Sequence, residues 1–212
     1  MSRQTPTQIA GESGLRPDLA AIAAMIPPGT RVLDIGCGDG SLLEYLVRAK
    51  NVDGRGLELI QQNVNHCVAR GLSVVQGDAD TDLHEYPSGV FDIAILSQTI
   101  QATRRPRYVL GELLRIGTRT IVSFPNFGHW RVRLSLALKG RMPVTKTLGH
   151  VWYDSPNIHL CTIADFLQLA HDVDARIEQA LTLDGSHTKP MRSDEWGPNL
   201  FAEGAIFQLA KK

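Results

Sequence analysis

Cysteine is scarce in this chain. Cys37, Cys67 and Cys161 are the only three in 212 residues, and no two stand at the C-x-x-C spacing of redox or zinc motifs. That excludes a disulfide-stapled scaffold and a thiolate metal site, and it suits unpaired thiols in a reducing compartment. Net charge is missing as well: Lys plus Arg and Asp plus Glu number 22 each. A neutral chain does not hold nucleic acid mainly by releasing counterions. Long apolar runs are also lacking. The most apolar early segment, residues 19–27, ends in prolines and falls well short of the roughly 20 residues that cross a bilayer. With no apolar leader at the N-terminus, the expectation is a cytoplasmic protein that has no membrane partner. Repeats and low-complexity stretches are absent too, and one α/β domain accounts for the length.

What the chain does have is glycine in a telling place. Val32-Leu33-Asp34-Ile35-Gly36-Cys37-Gly38-Asp39-Gly40 reads as an apolar strand that ends near an acid and breaks into glycines two residues apart. Glycines at a strand-to-helix turn remove the side chains that would block a ligand and permit backbone angles that other residues reach only at a cost. The dinucleotide fingerprint G-x-G-x-x-G/A requires a third small residue at what is here Ser41, but the extra glycine falls at Gly40. Asp34 would repel a pyrophosphate and attract an ammonium group, so charge favours a cationic nucleoside cofactor. The D-x-G-x-G-x-G run resembles motif I of the class I methyltransferases that use S-adenosylmethionine (SAM), in which this turn cups the amino-acid part of the cofactor.

The rest of the nucleoside site follows in chain order. A strand over residues 52–57 ends at Glu58, eighteen residues after Gly40 and close to the roughly 20 expected for an acid that binds ribose hydroxyls. Leu59 follows it. A third apolar run, residues 72–76, leads into Gly77-Asp78-Ala79-Asp80, which matches the acidic turn that receives an adenine amino group beside a backbone donor. A fourth, Phe91-Asp92-Ile93-Ala94-Ile95-Leu96, is a continuous apolar segment typical of a parallel strand buried on both faces. It opens at Ser97 and Gln98, where strand tips border a ligand crevice. The resemblance implies that Asp34, Gly36, Cys37, Gly38, Gly40, Glu58, Leu59, Asp78, Ala79, Ser97 and Gln98 line a site for SAM or S-adenosylhomocysteine. Asp39 and Asp80 read as cap or turn residues.

Strand and helix alternate along most of the chain, as in a doubly wound sheet. Helices are expected over residues 17–25, 41–50, 60–70 and 106–115, with Gly71 and Gly117 closing the last two. A fifth strand is expected at 119–124. Thr162 reads as an N-cap with Asp165 three residues on, opening a helix to about His171, and strands follow near 175–183 and 204–210. The expected fold is the three-layer Rossmann-like class I methyltransferase fold, with a mostly parallel seven-stranded sheet and an antiparallel last strand. Residues 1–14 read as a mobile tail and 15–212 as a single domain. Residues 126–160 form a covering segment between the fifth and sixth strands.

That segment is distinctive. From His129 to Lys146 it carries Arg131, Arg133, Lys139, Arg141 and Lys146 with no acidic residue, while Trp130, Leu134, Ala137 and Leu138 recur at helical spacing. Such a basic flank is a solvated face or a surface for an acidic ligand or partner protein. Phe124-Pro125-Asn126-Phe127-Gly128-His129-Trp130, followed by Trp152-Tyr153-Asp154-Ser155-Pro156-Asn157-Ile158-His159-Leu160-Cys161-Thr162, resembles the methionine biosynthesis protein MetW family. The resemblance implies a methyltransferase fold that supports or regulates a homoserine O-acyltransferase of the MetX type, and a homo-oligomer is compatible with it.

The chain itself lacks the G-x-S-x-G nucleophile elbow of such acyltransferases, Gly11-Glu12-Ser13-Gly14 being the nearest approach. An alternative is a SAM-dependent methyltransferase acting on a small molecule, such as a carboxylate drawn by Arg131, Arg133 or Arg141. For that reaction His129, His150, Tyr153 and His159 are candidate bases, with none singled out. A nucleic-acid methyltransferase ranks lowest. The chain is neutral and has no N-P-P-Y type motif after the fourth strand.

Overall fold

The computed structural model describes Pro6, Ala10 and residues 14–144, 149–192 and 194–212. Most of the tail expected over residues 1–14, and the basic residue Lys146, lie outside the described residues.

Helix α1 (Pro17–Met25) leads into β1 (Arg31–Ile35), followed by α2 (Ser41–Lys50), β2 (Asp53–Glu58), α3 (Gln61–Ala69) and β3 (Ser73–Gln76). Then come β4 (Phe91–Ser97), α4 (Pro106–Ile116), β5 (Gly117–Pro125), α5 (Trp130–Lys139), α6 (Ile163–Asp172), β6 (Ala175–Asp184), β7 (His187–Pro190), α7 (Gly197–Phe201) and β8 (Gly204–Lys211). Short 3₁₀ turns occupy Leu83–Glu85 and Ile100–Ala102. Among the described residues no helix is long and apolar enough to cross a membrane.

The strands form one sheet in the order β3-β2-β1-β4-β5-β8-β6-β7. The first five pair in parallel, and β8 runs antiparallel to both β5 and β6. The three-layer α/β architecture is therefore the expected one, with eight strands in place of seven. The added member is β7, antiparallel to the end of β6. It is a polar edge strand, His187-Thr188-Lys189-Pro190, and its terminal proline suits an edge that needs no further donor. Gly117 serves two elements at once. It closes α4 as expected, its amide donating to the Leu113 carbonyl, and also opens β5, where an added Cβ would lie 2.9 Å from the Ala94 amide nitrogen of the adjacent strand.

Alternation along the strands divides the core between the two faces of the sheet. Leu33, Ile35, Leu96, Val122 and Phe124 face α4 and α6, while Val32, Ile93, Ile95 and Ile121 face α1 and α2. On the first face Phe124, Phe166 and Phe207 are fully buried, with centroids 4.7 Å apart for Phe124 and Phe166 and 4.8 Å for Phe166 and Phe207. The Thr162 hydroxyl and the Asp165 carboxylate close a capping box at the start of α6, which aims Phe166 into this cluster. The strand order reverses between β1 and β4, so their C-terminal tips open the crevice where doubly wound sheets bind ligands.

Phe166→Ala is expected to lower the unfolding free energy by about 3–5 kcal/mol, the usual cost of removing a fully buried aromatic ring. The shift of the urea midpoint measures it, and a change below about 1 kcal/mol would refute the role assigned to this cluster.

Candidate functional site at the β1 and β4 tips

Gly36, Gly38 and Gly40 all adopt left-handed backbone angles, with φ of 69°, 57° and 76°. At Gly36 a Cβ would meet the Thr99 Oγ1 atom at 2.7 Å, and at Gly40 it would meet Cys67 Sγ at 2.7 Å. Glycine is therefore required here by angle and by space together. Asp39 is a turn residue, as its position suggests: its carboxylate accepts from the Ser41 amide at 3.0 Å and from the Ser41 hydroxyl at 2.6 Å, just ahead of α2, whose N-cap is Gly40.

Beneath the turn lie two carboxylates. Glu58, at the tip of β2, accepts from the Gly38 amide at 2.9 Å and from the Ile60 amide at 3.0 Å, so one side chain holds both loops. Asp34 is 2% exposed, and its Oδ1 has no hydrogen-bond partner among the described residues. Burial, and then the neighbouring Glu58 charge, push the Asp34 carboxyl up to about 7. Burial likewise pushes up the Cys37 thiol, so Cys37 packs as a small apolar group beneath the turn and is not an activated nucleophile.

A narrow cleft of about 150 Å³ opens beside the turn and brings together Gly36, Leu59, Asp78, Ala79, Thr99 and Arg104. Of the residues expected from sequence, Gly36, Leu59, Asp78 and Ala79 line this cleft, while Asp34, Cys37, Gly38, Gly40, Glu58, Ser97 and Gln98 do not. Ser97 and Gln98 lie at the neighbouring β4 tip. Ser97 Oγ is 3.2 Å from Ser123 Oγ, and the Gln98 amide donates to the Ser123 carbonyl at 2.9 Å. Gln98 is held at φ 51°, a conformation that non-glycine residues rarely adopt and that clusters at ligand sites.

Sequence reasoning missed three residues here. Thr99 fills the space Gly36 leaves open and donates to the Ser97 carbonyl at 2.7 Å. Arg104 reaches across the cleft to Asp78 Oδ2 at 3.0 Å. Being mostly exposed, it holds that pair only weakly and yields at small cost to a ligand. Gln101 is buried, its Oε1 has no hydrogen-bond partner among the described residues, and its backbone carbonyl accepts from the Ile158 and His159 amides at 3.0 and 2.9 Å. The segment after β5 is thereby fastened to the β4 tip. Asp80, read as a turn residue, accepts from the Arg104 and Arg105 amides, both at 2.8 Å, at the entry to α4.

The four candidate bases do not converge. His129 caps α5 by accepting from the Arg131 amide at 3.3 Å, and burial lowers its pKa. His150 lines a groove with Trp152 and Ile158, Tyr153 stands exposed against Trp152, and His159 borders a separate cavity with Cys161 and Asp165. The described residues include no metal-binding cluster.

The family described as methionine biosynthesis protein MetW matches residues 16–209. The chain belongs to the MetW family. Its similarity to the bifunctional methionine biosynthesis protein MetXA/MetW of Rhodopirellula baltica is 31% identity, covering 99% of this chain and 35% of that protein. A shorter match, 36% identical, to a fatty-acid O-methyltransferase of Mycolicibacterium smegmatis covers 42% of this chain and 33% of that protein. The chain thus spans about a third of each of these relatives. Among solved structures, a SAM-dependent methyltransferase of Thermotoga maritima superposes with a TM-score of 0.67 at 19% identity, covering 98% of this chain and 92% of that one. The fold is that of SAM-dependent methyltransferases.

Because the Asp34 carboxyl is raised from an ordinary 3.8 to about 7, the folded chain binds one more proton than the unfolded chain between those values. Stability should fall as pH rises through that window. Asp34→Asn is expected to remove this slope in thermal melts, and an unchanged slope would show that another group titrates.

Proposed function

We propose that this chain binds SAM or S-adenosylhomocysteine at the turn between β1 and α2 and uses that occupancy to support or regulate a homoserine O-acyltransferase of the MetX type. The observation that carries the partner is the relative in which MetXA and MetW share one polypeptide. Fusion holds two functions at high effective concentration, which separate chains achieve only by binding one another. On this reading acyl chemistry belongs to the partner.

The site suits a cationic nucleoside. Buried Asp34 offers an unpartnered acceptor to an ammonium group, and Glu58, Asp78 and Asp80 add acidity that a pyrophosphate would meet as repulsion. On this reading Glu58 would accept from ribose hydroxyls, Asp78 and Ala79 would hold the base, and Ser97 and Gln98 would border the methyl-bearing end. When bound, the sulfonium supplies an electrophilic methyl group. The chain's own part is to orient the cofactor and to exchange a proton at Asp34. SAM derives from methionine, so a complex that prefers one occupancy state would report end product to an early step.

The second reading, methyl transfer to a small molecule, is favoured by the local likeness to a fatty-acid O-methyltransferase. It is tested by SAM consumption in a metabolite pool.

SAM affinity should rise with pH through about 7 as Asp34 ionises. Asp34→Asn should weaken it by about tenfold or more at pH 8, the loss of one charge-assisted hydrogen bond, as read by titration calorimetry. In a reconstituted pair, adding this chain should raise the acyltransferase rate and saturating SAM should change it. A rate indifferent to the chain refutes the partnership, and one indifferent to SAM refutes the sensing role.

A further inference from the structure

Helix α5 does not pack as an amphipathic helix of a closed domain should. Val132 is its one buried residue, while Trp130, Leu134, Leu136 and Leu138 are exposed, Leu138 to 75%. A helix ordinarily turns its apolar stripe to the core. The exposed apolar surface continues beyond the Gly140 cap. Exposed Met142, Trp152, Ile158 and Leu160 line a groove of about 290 Å³ together with buried Pro143 and half-buried Phe127, and Trp152 is 76% exposed. Asn126, buried just before α5, ties a second exposed apolar pair to this region. Its amide group donates to the Asn199 and Ala202 carbonyls, which holds α7 and the exposed Phe201 and Trp196 near His129. Monomeric soluble proteins rarely leave so many large apolar side chains together in water.

The charge on this face is of one sign. No Asp or Glu occurs from residue 129 to residue 153, and Arg131, Arg133, Lys139 and Arg141 form no salt bridge among the described residues. Elsewhere the arginines of this chain commonly pair with carboxylates, as Arg70 does with Glu44 and Arg119 with Glu178. Unpaired cations around an apolar centre match the rim and core of a protein interface. A second copy of the chain fits poorly, because a two-fold contact would set these cations against their own equivalents.

We infer that α5, residues 142–144 and residues 149–160 form the docking surface for a separate protein that presents an apolar patch rimmed with carboxylates. Resting on the reading above, the partner is the acyltransferase. The face is fastened to the β4 tip through the Gln101 carbonyl, so a bound partner touches the segment that borders the nucleoside cleft. Partner binding and cofactor occupancy would then meet in one structural element.

The test uses the full chain and a separately purified MetX-type acyltransferase, with affinity measured by calorimetry at low and high salt. The wild-type pair should bind and weaken with salt. Leu138→Glu and Trp152→Glu should each weaken binding by about tenfold or more, as central apolar contacts do. The double variant Lys139→Glu/Arg141→Glu should lose much of the salt dependence. Val68→Asp, at an exposed position on α3, should bind like wild type. Circular dichroism and SAM affinity, unchanged in all variants, separate lost docking from lost folding. If the wild-type pair binds and the face variants bind equally well, the assignment of this face is overturned while the partnership stands. If the wild-type pair fails to bind, both fall. Sedimentation of the chain with phosphatidylglycerol vesicles without acyltransferase binding would reassign the face to a lipid surface. Self-association lost in the same variants would reassign it to a homodimer.

Discussion

The mouth of the sheet depends on one buried carboxylate that serves two loops. Glu58 leaves the tip of β2 and accepts the Gly38 amide from one side and the Ile60 amide from the other. The Gly36 and Gly40 amides donate to the Leu57 and Cys37 carbonyls, so Glu58 supplies the partner that the middle glycine of the turn finds nowhere in the backbone. Burial, and after it the charge of Glu58, raises the carboxyl of Asp34, which has one oxygen without a partner among the described residues. Two acids in one desolvated site are costly unless something positive arrives. The glycine turn therefore stands over an unmet electrostatic demand, and the proposal of a cationic ligand rests on that demand more directly than on the shape of the cleft.

Close approach is the second theme of the site. Gly36 admits Thr99, and Gly56 admits Cys37 and Val74. In each case the missing side chain lets two backbones or loops stand nearer than any larger residue allows. The two sides of the crevice are drawn together by omission as much as by contact.

What was legible in the sequence follows the same physics. Strand β4 is buried on both faces over its centre, so it reads as a continuous apolar run, and the capping box at Thr162 and Asp165 announced α6 from side-chain chemistry alone. Strand β7 left no such trace, because an edge strand of His, Thr, Lys and Pro owes its place to pairing with β6 and not to burial. Arg104, Thr99 and Gln101 were invisible for a related reason: their roles depend on where a loop lands after β4, which no spacing encodes. The left-handed angle of Gln98 carries no residue-type signal either, since glutamine has no special tolerance for it. Helix α5 was legible as a helix with an apolar stripe, but not as one whose stripe faces outward, because periodicity records that a face is apolar and says nothing of what covers it.

The position of β8 has a consequence for how the chain reaches this state. β8 is the last strand in chain order, yet it lies inside the sheet and pairs with β5 on one side and β6 on the other. Strands β6 and β7 have no link to the rest of the sheet until it arrives. During synthesis the parallel half can form early from neighbouring segments, while the β6–β7 hairpin must wait beside it with an open edge. Such late, non-local closure slows folding, because the intervening loop must be ordered before the new pairings repay it. The interval leaves the flanks of β5 and β6 exposed together, which makes the last strand the gate to a nascent chain's escape from aggregation.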